Sequence, residues 1–235
     1  MRRYLIILMM PCFVMLFGIC CLAGCEGSRH HLKKVRLNEV AHSIFYAPQY
    51  VAIEKGYFEK EGIKLELTTG FGADKTATAV ISGDADIAFM GPEATIYQFN
   101  QGNADYLINF AQLTQRAGNF VVSREREDSF KWEDLKGKKV IGGRPGGMPE
   151  MVFEYVLKKH GMNPQKDINL VQNIDFANTS GAFVSGEADY TVEFEPAATL
   201  IEEQGAGYVV ASVGKESGYV PYTAYSVKKS YLETH

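Results

Sequence analysis

The chain has 235 residues, 46% of them hydrophobic and 22% charged, with a formal net charge of −4. That length allows one large domain or two small ones. The acidic balance argues against nucleic acid as a partner, because phosphate binding needs a basic footprint.

The leading segment comes first. Met1-Arg2-Arg3 is basic, Tyr4 to Leu22 is almost wholly apolar, and Leu22-Ala23-Gly24-Cys25 closes it with small residues before a cysteine. Residues 1–24 read as an export signal and are set aside from the fold. The closing tetrapeptide resembles a bacterial lipobox, which implies that Cys25 becomes the lipid-carrying first residue of the mature chain. An uncleaved anchor is the alternative, since the apolar run is long enough to span a bilayer. Either reading places the folded part outside the cytoplasm, tethered to the outer face of the cell membrane. Cys12, Cys20 and Cys21 lie in the leader, so Cys25 is the last cysteine of the chain. An exported chain without a cysteine pair is expected to have no internal disulfide, no thiol nucleophile and no thiolate metal site. Residues 25–34 form a polar linker.

Val35 to Val40 reads as the first strand. Pro48 to Glu59 follows as a helix with Tyr50, Val51, Ile53, Tyr57 and Phe58 on one face, punctuated by Gly56 and Gly62. Ile63 to Leu67 alternates as a strand. Asp74 to Ile81 reads as a helix with Asp74 as its N-cap and Gly83 as its stop. Ile87 to Met90 is a buried strand, Pro92 starts a helix, and Leu107 to Leu113 is another strand. Trp132 to Val140 leads into a second set of elements, beginning with the strand Val140-Ile141. Pro149 to His160 is a helix with Met151, Val152, Tyr155 and Val156 on one face, stopped by Gly161. Ile168 to Val171, Gly181 to Val184, Asp189 to Phe194, Ala197 to Gln204 and Tyr208 to Val213 continue the alternation.

The chain repeats itself. Ser82-Gly83-Asp84-Ala85-Asp86 runs into an apolar stretch and Pro92; Ser185-Gly186-Glu187-Ala188-Asp189 runs into an apolar stretch and Pro196. Each copy follows one helix and precedes another, ending at Gly102 or Gly205, and a strand-like run comes next. Such self-similarity predicts two similar α/β lobes with mostly parallel sheets. The expected divisions are 35–118 for lobe 1, 119–219 for lobe 2 and 220–235 for a return segment to lobe 1. Small ligands favour clefts between lobes, at the carboxyl ends of strands.

Four segments carry a family resemblance: Ala52-Ile53-Glu54-Lys55-Gly56-Tyr57-Phe58-Glu59-Lys60-Glu61-Gly62-Ile63, Ser82 to Ile87, Asp134-Leu135-Lys136-Gly137-Lys138, and Glu195-Pro196. Over about residues 35 to 232 the chain resembles the substrate-binding lipoproteins of bacterial ABC importers. The branch is the one that groups sulfonate-, nitrate- and thiamine-precursor-binding proteins (SsuA/THI5-like, NMT1-type). The resemblance implies a two-lobed periplasmic-binding-protein type II fold with a two-segment hinge, placed near Gln115 to Val121 and Val220 to Tyr225. It implies a monomer that closes on a small molecule and docks on an ABC permease with its ATPase, without making or breaking a bond. Family members continue for several helices past the position of His235, so the C-terminal helices of the fold are expected to be missing. A fragment, or a second polypeptide that completes lobe 1, would account for this.

Three places suit a ligand. His42 to Pro48 joins the first strand to the first helix, and the resemblance implies that this loop lines the cleft; Phe45 and Tyr46 either stack on a ligand or cover the helix end. Gly142 to Glu150 is a glycine-rich turn between a strand and a helix, where backbone N–H groups of Gly146, Gly147 and Met148 approach a ligand and Arg144 offers a cation. Its spacing is neither a Walker loop nor a dinucleotide fingerprint. Gly91-Pro92-Glu93 and Glu193-Phe194-Glu195-Pro196 place carboxylates at strand ends. Glu93 and Glu195 either meet a ligand or serve as helix N-terminal charges. Gln115 and Tyr222 on the hinge strands hydrogen-bond the ligand or each other. The five histidines have no zinc-ligand spacing, and no metal or cofactor is expected.

A carboxylate in the cleft suits a cationic or amino-heterocyclic ligand better than an anion. The expected ligand order is a thiamine-type pyrimidine precursor, then an alkanesulfonate, then nitrate. Two other readings stand beside transport: a pyrimidine-precursor synthase-like enzyme on the same fold, and a sensing lobe for a membrane partner. The export signal and the lack of clustered Cys and His argue against the enzyme.

Overall fold

The structure, a computed structural model, describes residues 32–235. The leader, Cys25 and the linker up to residue 31 lie outside the described residues. In chain order the elements are β1 (Lys33–Glu39), α1 (Ala47–Glu54), α2 (Tyr57–Lys60), β2 (Ile63–Thr69), α3 (Ala73–Ser82), β3 (Ile87–Met90), α4 (Glu93–Asn100), β4 (Leu107–Thr114), β5 (Asn119–Ser123), β6 (Lys139–Ile141), α5 (Met148–Lys159), β7 (Asn169–Val171), α6 (Thr179–Val184), β8 (Tyr190–Phe194), α7 (Ala197–Glu203), β9 (Tyr208–Ser212), α8 (Val213–Ser217), β10 (Thr223–Lys228) and α9 (Lys229–Thr234).

Two five-stranded sheets form, in the orders β2-β1-β3-β10-β4 and β7-β6-β8-β5-β9. They share one plan. In the first, β1 and β3 are parallel, and β10 runs against both β3 and β4. In the second, β7, β6 and β8 are parallel, and β5 runs against both β8 and β9. The two copies of the repeat lead into β3 and β8, which hold the middle place of their sheets. Each copy contains a glycine at positive φ, Gly83 (φ 88°) and Gly186 (φ 99°), that turns the chain from helix to strand.

Both sheets are covered on two faces, as buried parallel strands require. On the second sheet, Val121, Val140 and Val192 pack against Val152, Phe153, Val156 and Leu157 of α5. Val122 and Ile141 alternate to the opposite face, against Phe183, Ala198 and Ile201 of α6 and α7. On the first sheet, Ala88 and Met90 meet Ala77 and Val80 of α3, while Phe89 faces Leu37 and Tyr46.

Several local expectations are corrected. The Pro48 to Glu59 helix is two helices, broken at Gly56 (φ 64°), and the break leaves Val51 and Tyr57 half exposed. Asp74 is not the N-cap of α3. Gly72 takes that position with φ 155°, and Asp74 stands in the first turn. The buried stripe of α5 is Val152, Phe153, Val156 and Leu157, one residue round from the expected one, so Met151 and Tyr155 face outward.

Two crossings join the sheets: residues 115–118 lead from β4 to β5, and residues 218–222 lead from α8 to β10. They hydrogen-bond to each other, Val220 N–H to the Gln115 carbonyl and Tyr222 N–H to the Thr114 carbonyl, both at 3.0 Å.

Candidate ligand site at the seam of the two sheets

The glycine-rich turn after β6 lies against the start of α4, so the seam is built from strand ends of both sheets. Pro92 precedes α4 and Glu93 is its first residue, which aims the Glu93 side chain back over Gly91. A Cβ on Gly91 would overlap that carboxylate, so any larger residue there would displace it. Glu93 is 3% exposed, and its Oε1 accepts the N–H of Met148 at 3.1 Å. One turn along α4, the Tyr97 hydroxyl donates to the Gly146 carbonyl at 3.0 Å. Arg144 reaches the opposite way, donating to the Phe71 carbonyl at 3.3 Å and standing 3.7 Å from the Asp74 carboxylate.

An aromatic cluster closes the middle of the seam. The Phe45 ring lies 5.3 Å from Phe194 and 5.7 Å from Tyr222, edge-on to the latter. Phe176 approaches Phe194 at 5.5 Å. Gly118, in the first crossing, gives the Phe45 ring its space, since a Cβ there would overlap it. Tyr46 sits between the cluster and the first lobe's core, its ring 5.5 Å from Phe45 and edge-on to Phe89 at 4.6 Å.

The seam holds polar atoms without partners. Glu93 Oε2, the Tyr222 hydroxyl and both side-chain polar atoms of Asn119, the first residue of β5, are buried and unbonded. Buried polar groups are ordinarily satisfied, so each such group calls for a reason. Burial pushes the Glu93 carboxyl up to about 7, opposed by backbone N–H groups, that of Met148 among them. Burial also raises the Tyr222 hydroxyl well above its ordinary value, and the Tyr46 and Glu93 charges add to it.

The glycine-rich loop differs from the expected open cradle. Glu93 engages Met148 N–H, the Arg144 carbonyl accepts Gly147 N–H at 3.2 Å, and Glu150 accepts Gly146 N–H at 3.2 Å. Gln172 donates to the other Glu150 oxygen at 2.9 Å. Burial, then the neighbouring Glu154 charge, pushes the Glu150 carboxyl up to about 7. Arg144 lies at the rim with Asp74. Gln115 is exposed; its backbone, not its side chain, meets the second crossing.

Glu195 is also exposed, and its carboxylate accepts Thr199 N–H at 3.1 Å, the helix-capping alternative. The buried carboxylate of that segment is Glu193, bonded by the hydroxyls of Thr191 (2.7 Å) and Thr179 (3.1 Å) and pushed up to about 7 by burial. Strand alternation sets it on the α6 side, opposite Phe194. Tyr97 and Asn119 carry no motif and are recognised only in the folded chain; Glu150 ends the glycine-rich turn, but its carboxylate role shows only there. Among the described residues, no group of three or more His, Cys, Asp or Glu is placed to hold a metal ion.

Comparison with known proteins agrees with this architecture. YtlA of Bacillus subtilis (strain 168), whose name calls it a binding protein, is 52% identical over 222 residues, covering 94% of this chain and 66% of its own. The Escherichia coli periplasmic aliphatic sulphonate binding protein SsuA superposes with a TM-score of 0.66 at 19% identity, over 86% of this chain and 67% of its own. The Synechocystis PCC 6803 periplasmic nitrate-binding protein NrtA does so with a TM-score of 0.65 at 20% identity, over 86% and 57%. These likenesses show the two-lobed periplasmic-binding-protein fold, and the chain spans about two thirds or less of each protein's length. A model of the NMT1/THI5 like family matches residues 44–232, and the chain belongs to that family.

Proposed function

We propose that this chain is the solute-binding part of an ABC importer, held outside the cytoplasm by a lipid on Cys25. It works as a monomeric clamp of lobes 35–118 and 119–219 with the return segment 220–235. No reaction is catalysed. The solute shifts an open–closed equilibrium because it touches both lobes only when they meet, and the closed form hands it to a permease driven by an ATPase. One observation carries the reading: Glu93 Oε2 at the start of α4, the Tyr222 hydroxyl in the second crossing and the Asn119 amide at the start of β5 are all buried and without partners. A solute with matching donors and acceptors would satisfy them.

Phe45, Phe194 and Tyr222 offer rings for a flat ligand. A thiamine-type pyrimidine precursor or related amino-heterocycle therefore comes first, ahead of an alkanesulfonate and nitrate. Native mass spectrometry of the protein from Glu26 onward tests the reading. Compact, low-charge ions carrying an extra small mass are expected. Ions that stay ligand-free when the protein is mixed with amino-heterocycles, sulfonates and nitrate would overturn it.

A further inference from the structure

The start of α5 is where an anion would be expected to sit. It is a 12-residue helix, its first turn leaves N–H groups free, and its dipole places partial positive charge there. That position is already filled by a side chain from the other lobe. Glu93 Oε1 accepts Met148 N–H at the first residue of α5. Among the described residues Glu93 has no ion-pair partner, and the nearby Arg144 is engaged with Phe71 and Asp74. Oε2 is buried without a hydrogen-bond partner.

We propose that Glu93 is a built-in carboxyl group that occupies the α5 N-terminus, excludes oxyanions from the seam and leaves Oε2 for a ligand bearing N–H donors or positive charge. The inference rests on the seam being a solute site, and it fixes the charge of what enters. Two observations support it independently of the helix end. Gly91 has no side chain, which lets the carboxylate fold back over the strand end and keep this position. The Tyr222 hydroxyl, also buried and unpartnered, gives the same ligand a second polar contact. An oxyanion brought to Met148 N–H would meet a carboxylate in a desolvated seam, where like charges repel strongly. A donor-bearing ligand meets an acceptor that otherwise stays unsatisfied.

The test is calorimetric titration of the chain from Glu26 onward with ethanesulfonate and with nitrate at pH 8, where Glu93 is ionised. The wild-type protein is expected to take up neither. Glu93→Ala removes charge and bulk together and is expected to bind at least one of them at least tenfold more tightly than wild type. Glu93→Gln keeps the shape and removes only the charge. It is expected to shift in the same direction, and it decides the matter if the alanine variant fails to fold by circular dichroism. Uptake of either anion by the wild-type protein overturns the inference, as does its absence from both folded variants. Those outcomes leave the importer reading untouched, because that reading stands or falls on the bound mass in native spectra.

Discussion

Asp189 accepts the backbone N–H of Lys139 at 2.8 Å, and Asp86 does the same for Arg36 at 2.8 Å in the other sheet. Each aspartate also returns its own N–H to that partner's carbonyl, at 2.9 Å in both lobes. The repeated motif is thus a two-point clamp that sets β3 on β1 and β8 on β6. Asp86 adds a bond to the Arg36 guanidinium, which holds its carboxyl below the usual range even though burial acts the other way. Replacing Asp189 with Ala leaves a strand N–H unpaired and should cost about 1 kcal/mol; Asp86→Ala should cost more, because it also removes the ion pair to the Arg36 guanidinium, which keeps its bonds to the Gly83 and Asp84 carbonyls. Urea unfolding midpoints check both, and equal losses would contradict the added role of Arg36.

Gly118 tests how tightly the seam is packed. A methyl group there meets the Phe45 ring. Gly118→Ala should lower stability by about 1–3 kcal/mol, the usual cost of overpacking. It should also loosen the contact between Phe45 and Phe194, which small-angle scattering would register as a larger radius of gyration. An unchanged radius would mean that Phe45 moves without parting the lobes.

Stability should fall as pH rises. Glu93 and Glu193 have ordinary values near 4.5 when unfolded and about 7 when folded. Between those values the folded chain holds protons that the unfolded chain has released, so each group favours folding below pH 4.5 and loses that contribution as pH climbs through 7. The loss is on the order of 3 kcal/mol for each group at most. Melting temperatures between pH 5 and 8 should decline for the wild-type protein and flatten stepwise in Glu93→Gln and Glu193→Gln. A slope that neither variant changes would place the titration elsewhere.

Arg144 makes rim contacts in water, which are worth little. Arg144→Ala is expected to change stability by less than about 1 kcal/mol and ligand affinity by less than threefold. A tenfold loss of affinity would put the guanidinium on the ligand.

The sequence made the scaffold legible more readily than the site. The paired Ser-Gly-Asp/Glu-Ala-Asp segments mark a backbone event, a positive-φ glycine followed by a register clamp, and such events need particular residues at fixed spacing. Glu93 and Tyr222 could be named because each stands beside a strand end or a crossing. Glu193 could not be told from Glu195 by spacing alone. One lies inside a strand and is buried by α6, while its neighbour two residues on caps α7 in the open. The loop at Gly146 reads as an open donor cradle until the carboxylates that fill it, Glu93 and Glu150, are brought in from a distant helix and from the turn that follows.

The interleaving of β10 carries a consequence for how the chain is made. All five strands of the second sheet come from one continuous stretch, Asn119 to Ser212, whereas the first sheet places β10 between β3 and β4, which do not pair with each other. Emerging from a ribosome or a translocation channel, the second lobe has all its strands before the first has its fifth. The first lobe must hold β3 and β4 apart, edges open, until Thr223 to Lys228 arrive. Pairing across such sequence distance is slow and leaves edges exposed. The lobe translated second therefore has all five strands of its sheet first, and the sheet of the lobe translated first waits for β10.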